Sequence, residues 1–453
     1  MGGPDAARRS STTRPVPGSA TGSPGSDRTH NMATFPRPPR THRPRRCPTR
    51  TKVAAVLVGA VSVLTAACSS GATNSAATTA ASPATTTGAS TTTSTSGLPG
   101  IRHVFLIVLE NEGFDATFGT PSADPYLAGT LPAQGALLTN YYGIGHFSND
   151  NYIALISGQA PNPLNQADCQ VFANFPASAT VATNGQISDS GCVFPTTMTT
   201  VADQLTQAHL TWKGYMEDMG NIPSRESAVC GHPTVGSPDL TEKAVPGDGY
   251  ATRHDPFVYF HSIIDDTKLC DSHVVPLGTT SGSLPAGAPA GTTGLATDLK
   301  SIATTPNFSF ITPNLCNDGH DAPCVNQQGS PSALANIGTF LQTWVPLITG
   351  SPAFRKDGLL EITFDEADTA DATSCCGETP GPASALPGVT GPGGGRIGTV
   401  LLSPFVKAGT ASSVPYNHYS TLATIEDIFG LTRLGQAKTV SATFGTDVFS
   451  TPG

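Results

Sequence analysis

The sequence predicts an α/β domain with a mostly parallel central sheet, flanked by helices and interrupted by long, disulfide-stapled loop excursions. An apolar run without polar alternation at 104–109 and a largely apolar one at 358–364 are expected for strands buried on both faces, as in parallel sheets. Amphipathic or capped segments stand between such runs and supply the helices that parallel strands need to reconnect. With 48 Gly, 39 Pro and charged residues at 13%, the chain also carries a great deal of loop.

Charge is unevenly distributed. Residues 1–52 hold ten Arg and one Lys against Asp5 and Asp27, a local net of +9, and subtracting this from the formal −9 leaves −18 for residues 53–453. An acidic body of that kind argues against a nucleic-acid partner. The basic segment leads into an apolar core at 53–68 that is shorter than the about 20 residues of a membrane span and ends in small residues before Cys68. Leu64-Thr-Ala-Ala-Cys68 looks like a lipoprotein signal, with ordinary secretory cleavage near Ala67 as the alternative and Met32 as a possible true start. The expected organisation is therefore a leader and signal peptide over 1–67, a Ser/Thr/Ala-rich tether over 68–97 and one catalytic domain over 98–453. Export to the cell surface or medium follows, with a lipid anchor on Cys68 as the membrane contact.

Cys47 leaves with the leader and Cys68 with the anchor, so eight cysteines remain. In an exported chain an even set is expected to form disulfides, and sequence neighbours favour Cys169 with Cys192, Cys230 with Cys270 and Cys316 with Cys324. A thiolate metal site is the alternative, disfavoured because no CxxC pair occurs.

Taken in order, residues 104–109 form the first strand, which stops on Glu110 and Asn111. A short helix is expected over 125–134 and a second strand over 136–142, running into the glycine-rich turn before Ser148. Ser148 then falls at or just before a helix amino terminus, where it either caps the helix or stands among N–H groups that favour an anion. Further helices are expected over 197–209, 332–348 and 416–430, and strands over 211–216, 307–312, 358–364 and 393–402. Pro256 pushes Asp255 toward extended backbone, which lets His254 project over the site or merely pair with Asp255 at the surface. The strand at 307–312 ends in Asn317-Asp-Gly-His-Asp321, which is crowded with polar groups beyond what a turn requires, although Asn-Asp-Gly is also ordinary turn chemistry.

In open α/β sheets, ligands bind beyond the carboxyl ends of the strands. Glu110 and Asn111 end one buried strand, and Asp365 and Glu366 end another. Such oxygen ligands suit Mg, Ca, Mn or a comparable divalent ion. The alternative for Asp365-Glu-Ala-Asp368 is a helix start favoured by its acids. A metal-bound serine hydroxyl loses its proton readily, and His254 or His320 could hold phosphate oxygens or protonate a leaving alcohol.

The motifs Arg102-His-Val-Phe-Leu-Ile-Val-Leu-Glu-Asn-Glu-Gly-Phe-Asp115, His146-Phe-Ser-Asn-Asp-Asn-Tyr152, Arg253-His-Asp-Pro-Phe257, Asn317-Asp-Gly-His-Asp321, Phe364-Asp-Glu366 and Asn417-His-Tyr-Ser420 are spread along essentially all of residues 101–434. In order and spacing the chain resembles the bacterial phosphoesterase family of secreted acid phosphatases and non-haemolytic phospholipases C, within the alkaline phosphatase-like superfamily. The resemblance implies an alkaline phosphatase-like fold and a divalent metal, Mg, Ca, Mn or Zn, on Glu110, Asn111, Ser148, Asp365 and Glu366. It also implies Ser148 as nucleophile, His254 and His320 as active-site histidines, and Asn151 and His418 as further substrate-binding groups. Glu112-Gly113 stands where many members carry Arg-Ser, which removes a positive charge near the site. The expected function is phosphomonoester hydrolysis through a phosphoserine, with phosphoinositides among possible substrates. Phospholipase C-like diester cleavage is the rival, and a non-catalytic surface binding lipoprotein is the reading from another class.

Overall fold

The computed structural model describes residues 98–325 and 332–450; the leader, signal and tether expected over 1–97 lie outside the described residues. At the centre is β1 (His103–Leu109), whose seven residues are all buried. The other strands are β2 (Ala136–Leu138), β3 (Tyr141–Tyr142), β4 (Trp212–Met216), β5 (Val274–Pro276), β6 (Phe308–Thr312), β7 (Gly358–Phe364), β8 (Thr399–Leu402), β9 (Thr410–Ser412) and β10 (Tyr416–Asn417). Eight of them form one sheet in the order β5-β4-β6-β1-β7-β8-β2-β9, and β10 pairs with β3 apart from it.

The sheet is mostly parallel. β1 runs parallel to both β6 and β7, while β8 runs antiparallel to β7 and β2. Burial on both faces produces this middle: β6 and β7, like β1, bury every residue, and their few polar side chains, Ser309 and Thr312 in β6 and Glu361 and Thr363 in β7, lie inside. Because β1 is flanked by strands from much later in the chain, the segments leaving β1, β6 and β7 at their carboxyl ends open a crevice there.

The principal helices are α1 (Ser148–Ser157), α2 (Val201–Gln207), α3 (Ala333–Gly350) and α4 (His418–Phe429). α3 buries Leu334, Ile337, Phe340, Leu341, Trp344, Val345 and Ile348, the stripe the periodicity marks out. Thr200 and Asp203 form a capping box that starts α2 three residues inside its expected range. Among the described residues no helix is long and apolar enough to cross a membrane.

Two expected strands differ, and two further strands were not expected. The strand over 136–142 breaks at Thr139 and Asn140, because β2 follows the main sheet while Asn140 turns to accept the Tyr416 N–H at 2.9 Å and sends β3 to β10. The strand over 393–402 begins only at Thr399, since Gly393–Gly398 are committed to loop contacts: Gly394 N–H donates to the Gly143 carbonyl and Gly395 N–H to that of Thr373. The strands β5 and β9 are three residues each, too short for a periodicity that could have announced them.

The excursions are tied down by sulfur. Cys169–Cys192, Cys230–Cys270 and Cys316–Cys324 pair as expected from the sequence, and the adjacent Cys375 and Cys376 pair with each other.

Glu361 lies in the middle of β7, 1% exposed, and accepts a hydrogen bond from the Thr421 hydroxyl at 2.6 Å. Burial pushes its carboxyl from the ordinary 4.5 up to about 8. The folded protein therefore holds a proton that the unfolded chain releases, so the stability this group supports is complete below pH 4.5 and is lost as pH rises through about 8. Glu361→Gln keeps the acceptor and removes the ionisation. Thermal melts of the variant are expected to match the wild type at pH 4.5 and to exceed it at pH 8 by on the order of 2 kcal/mol, the opposite order at pH 8 refuting the assignment.

Candidate active site

Register brings the first two carboxyl groups together. Leu109 pairs with Phe364 across β1 and β7, so Glu110 and Asp365 emerge side by side. Asp365 N–H donates to the Leu109 carbonyl at 2.8 Å, and the Asp365 Oδ1 accepts N–H groups from Asn111 at 3.0 Å and Glu366 at 2.6 Å. Asn111 sits at φ 59, a left-handed conformation that asparagine tolerates better than most residues. The turn after β1 is thus held by the acid ending β7.

Ser148 reaches the same place from α1. Phe147, at φ 111, is strained for a residue with a Cβ, and its N–H is fixed by Glu366 Oε2 at 2.6 Å. Asn151 closes the preceding turn: its Oδ1 accepts from Ile144 and Gly145, and its Nδ2 donates to the Gly145 carbonyl at 2.9 Å and to Glu366 Oε2 at 3.2 Å. Gly143 is packed so closely that a Cβ would lie 2.6 Å from the Asp365 carbonyl oxygen. The Ser148 hydroxyl caps no helix N–H; it donates to Glu110 Oε2 at 2.8 Å.

His254 is 1% exposed, not a surface partner of Asp255. Its Nε2 is 3.3 Å from Glu110 Oε1, its Nδ1 is 3.2 Å from Asp318 Oδ2, and its ring stacks on Tyr152 at 5.0 Å. The Tyr152 hydroxyl also donates to Glu110 Oε1 at 2.7 Å. His320 lies at the mouth with its side chain 28% exposed. Arg253 Nη2 donates to its Nε2 at 3.1 Å, which places the ring proton on Nδ1 against Asp321, 2.8 Å away. His418 stands behind the site: its Nε2 is 2.6 Å from the Asp365 carbonyl and its Nδ1 is 3.2 Å from the Tyr141 hydroxyl. With both ring nitrogens engaged and the ring fully buried, it supports Asp365 from beneath. Asn151 likewise spends its amide on the turn. No helix follows Asp365-Glu-Ala-Asp368, which removes the helix-start alternative.

The electrostatics are those of acids gathered without enough counter-charge. Burial, followed by repulsion from Asp365 and Asp318, pushes Glu110 well above the usual carboxylate range. Burial and Asp365 do the same to Glu366, burial raises Asp318, and Asp365 itself is pushed up to about 6. Burial holds His254 well below its ordinary value, in the neutral form that can ligate or accept a proton. The Asp365 Oδ2 and His254 Nε2 atoms are buried without a hydrogen-bond partner. Donor atoms of Glu110, His254 and Asp318 all lie within 4.8 Å of one another. Carboxylates, an imidazole and orphaned lone pairs fit a divalent cation, and no thiolate takes part.

Five residues near this centre were given no role by the sequence: Asp318, Tyr152, His146, Arg253 and Asp168. Asp318 ends the segment after β6 and donates no signal beyond its crowded motif; its carbonyl accepts the Glu110 N–H at 2.9 Å. Opposite them, a cavity of about 380 Å³ is lined by Asn111, Glu112, Asp368 and Arg396. Arg396 lies over the Phe114 ring at 4.2 Å and pairs with Asp115 at 2.8 Å, so a cation stands at this rim although Glu112 replaces the family's arginine.

Asp365→Asn removes one of the crowded charges while leaving an oxygen for the two backbone donors. In EDTA-treated protein the variant is expected to be about 1–2 kcal/mol more stable to urea at pH 7.5; a destabilised variant would contradict the repulsion.

Comparison with known proteins matches the sequence to a family. The Phosphoesterase family model covers residues 125–432. The phosphate-repressible acid phosphatase of Penicillium chrysogenum is 26% identical over 333 residues, 73% of this chain and 59% of that protein. Phosphatidylinositol-3-phosphatase of Mycobacterium tuberculosis is 25% identical over 347 residues, 76% of this chain and 82% of that protein. A solved alkaline phosphatase superfamily protein from Vibrio parahaemolyticus superposes with a TM-score of 0.40 at 12% identity, covering 74% of this chain and 67% of the other. The chain spans 51–59% of the length of the Aspergillus fumigatus and Penicillium acid phosphatases. With the family match extending over well more than half of the sequence, the protein belongs to the phosphoesterase family.

Proposed function

We propose that the protein is an exported, divalent-metal-dependent phosphomonoesterase of acid-phosphatase type that works through a phosphoserine at Ser148. The observation that carries this is the 2.8 Å hydrogen bond from the Ser148 hydroxyl to Glu110 within a buried nest of carboxylates at the carboxyl ends of β1 and β7. Relatives named as acid phosphatases and as a phosphatidylinositol-3-phosphatase support phosphate monoesters, phosphoinositides among them, as the substrate class. The cleavable segment ending at Cys68 and the paired cysteines support export, with Cys68 as the lipid-anchor site.

Glu110, Asn111, Ser148, Asp365 and Glu366 would hold the ion, with His254 and Asp318 beside them. When bound, a divalent cation there supplies Lewis acidity and offsets the negative charge of the site. The chain's own groups do the rest. Glu110 orients the Ser148 oxygen and accepts its proton; that oxygen attacks phosphorus as the ester P–O bond breaks. The leaving oxygen takes a proton from water at the mouth, beside the part-exposed His320. A second water then attacks phosphorus, the Ser148 O–P bond breaks, and the serine oxygen regains its proton from Glu110. Tyr152 and Asp318 hold Glu110 and His254 in place, and His418 and Asn151 hold the backbone of Asp365 and the nucleophile turn.

Ser148→Ala is expected to lower kcat on p-nitrophenyl phosphate by at least about 10³-fold with the melting temperature retained, and unchanged turnover would refute the nucleophile. EDTA is expected to abolish activity, with one divalent ion restoring it; full activity after exhaustive chelation and removal of the chelate would overturn the metal requirement. Faster turnover of a choline phosphodiester than of the monoester would replace the phosphomonoesterase reading with a phospholipase C-like one.

A further inference from the structure

Asp168 has no task in the mechanism above, yet it reaches the nucleophile's helix. It lies on the excursion stapled by Cys169–Cys192, and both Asp168 and Cys169 sit at φ 52, two successive left-handed residues without glycine. That turn delivers the carboxylate to the start of α1, where Asp168 Oδ1 accepts the Asn149 N–H at 3.1 Å, one residue from Ser148. Its other oxygen is 4.0 Å from Arg253 Nε.

Arg253 is the second observation. It is 1% exposed, and its guanidinium is spread over three neighbours: Nη1 donates to the Glu242 carbonyl at 3.1 Å, Nη2 donates to His320 Nε2 at 3.1 Å, and Nε faces Asp168 without completing a hydrogen bond. A helix cap has no need of a buried guanidinium behind it. A ten-residue helix start, an unsatisfied arginine N–H and a neighbouring histidine together make an anion site, and the side chain lying in it is 17% exposed and so borders solvent.

We propose that the Asp168 carboxylate occupies the position of a substrate phosphoryl group, held there by Arg253 and the α1 amino terminus, and that it swings aside when a phosphate ester binds. Arg253 is then the residue that receives the phosphoryl oxygens, and Asp168 is a resident competitor that weakens binding of phosphate anions. The inference rests on the phosphomonoesterase reading and names the subsite where that substrate is gripped.

Asp168→Asn keeps an oxygen for the Asn149 N–H and removes the charge, so it separates competition from capping. Inorganic phosphate is titrated calorimetrically into the full-length wild type and variants with divalent ion present. Asp168→Asn is expected to bind phosphate on the order of tenfold more tightly with an unaltered melting temperature. Arg253→Gln is expected to bind it at least about tenfold more weakly, with KM for the monoester raised more than kcat is lowered. Should Arg253→Gln fail to fold, Arg253→Lys carries the test and is expected to bind phosphate several-fold more weakly. Phosphate affinity within about twofold of wild type in Asp168→Asn, or weaker, overturns the proposal and leaves Asp168 as a cap. Because phosphate binding is read without turnover, this failure is distinct from loss of the phosphomonoesterase reading, which the Ser148→Ala assay decides.

Discussion

Everything at this site depends on the register of β1 with β7. Pairing Leu109 with Phe364 sets Glu110 beside Asp365 with neither free to withdraw, since each begins where a buried strand ends. Two carboxyl groups forced together out of water repel and resist ionisation, which is unfavourable for folding and useful for binding a cation. The backbone bonds from Asn111 and Glu366 to Asp365 Oδ1 recover part of that loss. The remaining orphan, Asp365 Oδ2, is what a structural pair would not leave behind.

The nucleophile is placed by the same logic of rigid supports. Gly143 and Gly394 let two backbones touch, with Gly394 N–H on the Gly143 carbonyl at 3.0 Å, and Asn151 pins the intervening turn at both ends. The strain at Phe147 is sustained because Glu366 grips its N–H, so one carboxylate both belongs to the acidic nest and aims Ser148. α1 packs against α4, whose first residue His418 reaches the Asp365 carbonyl. Each polar group beneath the site therefore fixes a neighbour, which keeps the geometry independent of the surface loops.

Much of this was legible from residue order. Short stretches dominated by apolar residues announced β1, β6 and β7, and the polar residues that follow them are the ones gathered in the crevice. Helix α3 was readable from a single stripe. What escaped depends on contacts distant in sequence. β5 and β9 are three residues long and owe their pairing to the sheet edge, the strand over 136–142 broke because Asn140 met Tyr416, and the glycines before β8 were spent on the nucleophile turn. His254 looked equally able to face solvent or the site, and only its burial between Glu110 and Asp318 separates the two. For His418 and Asn151 a motif position does not say which backbone groups the side chain also fixes, here the Asp365 carbonyl and the turn before Ser148.

An acidic protein that handles phosphate must solve a charge problem, and the answer here is a buried cation placed next to the acids. The body of the chain carries −18, so its surface field repels a phosphate dianion at long range. Screening limits that field to about 10 Å at ordinary ionic strength, and within this distance the local groups decide. Beside Ser148 lies the carboxylate nest that calls for a cation. Next to His254 of that nest stands Arg253, buried and kept charged by Asp168 first and then by Glu110 and Glu242. Exposed lysines could not substitute for it, since a solvated ammonium competes poorly with water for phosphate oxygens, whereas a desolvated guanidinium already fixed by Glu242 and His320 loses little freedom on binding. The loss of an arginine at Glu112 is tolerable for the same reason: the cation that matters is the buried one, and the rim retains Arg396.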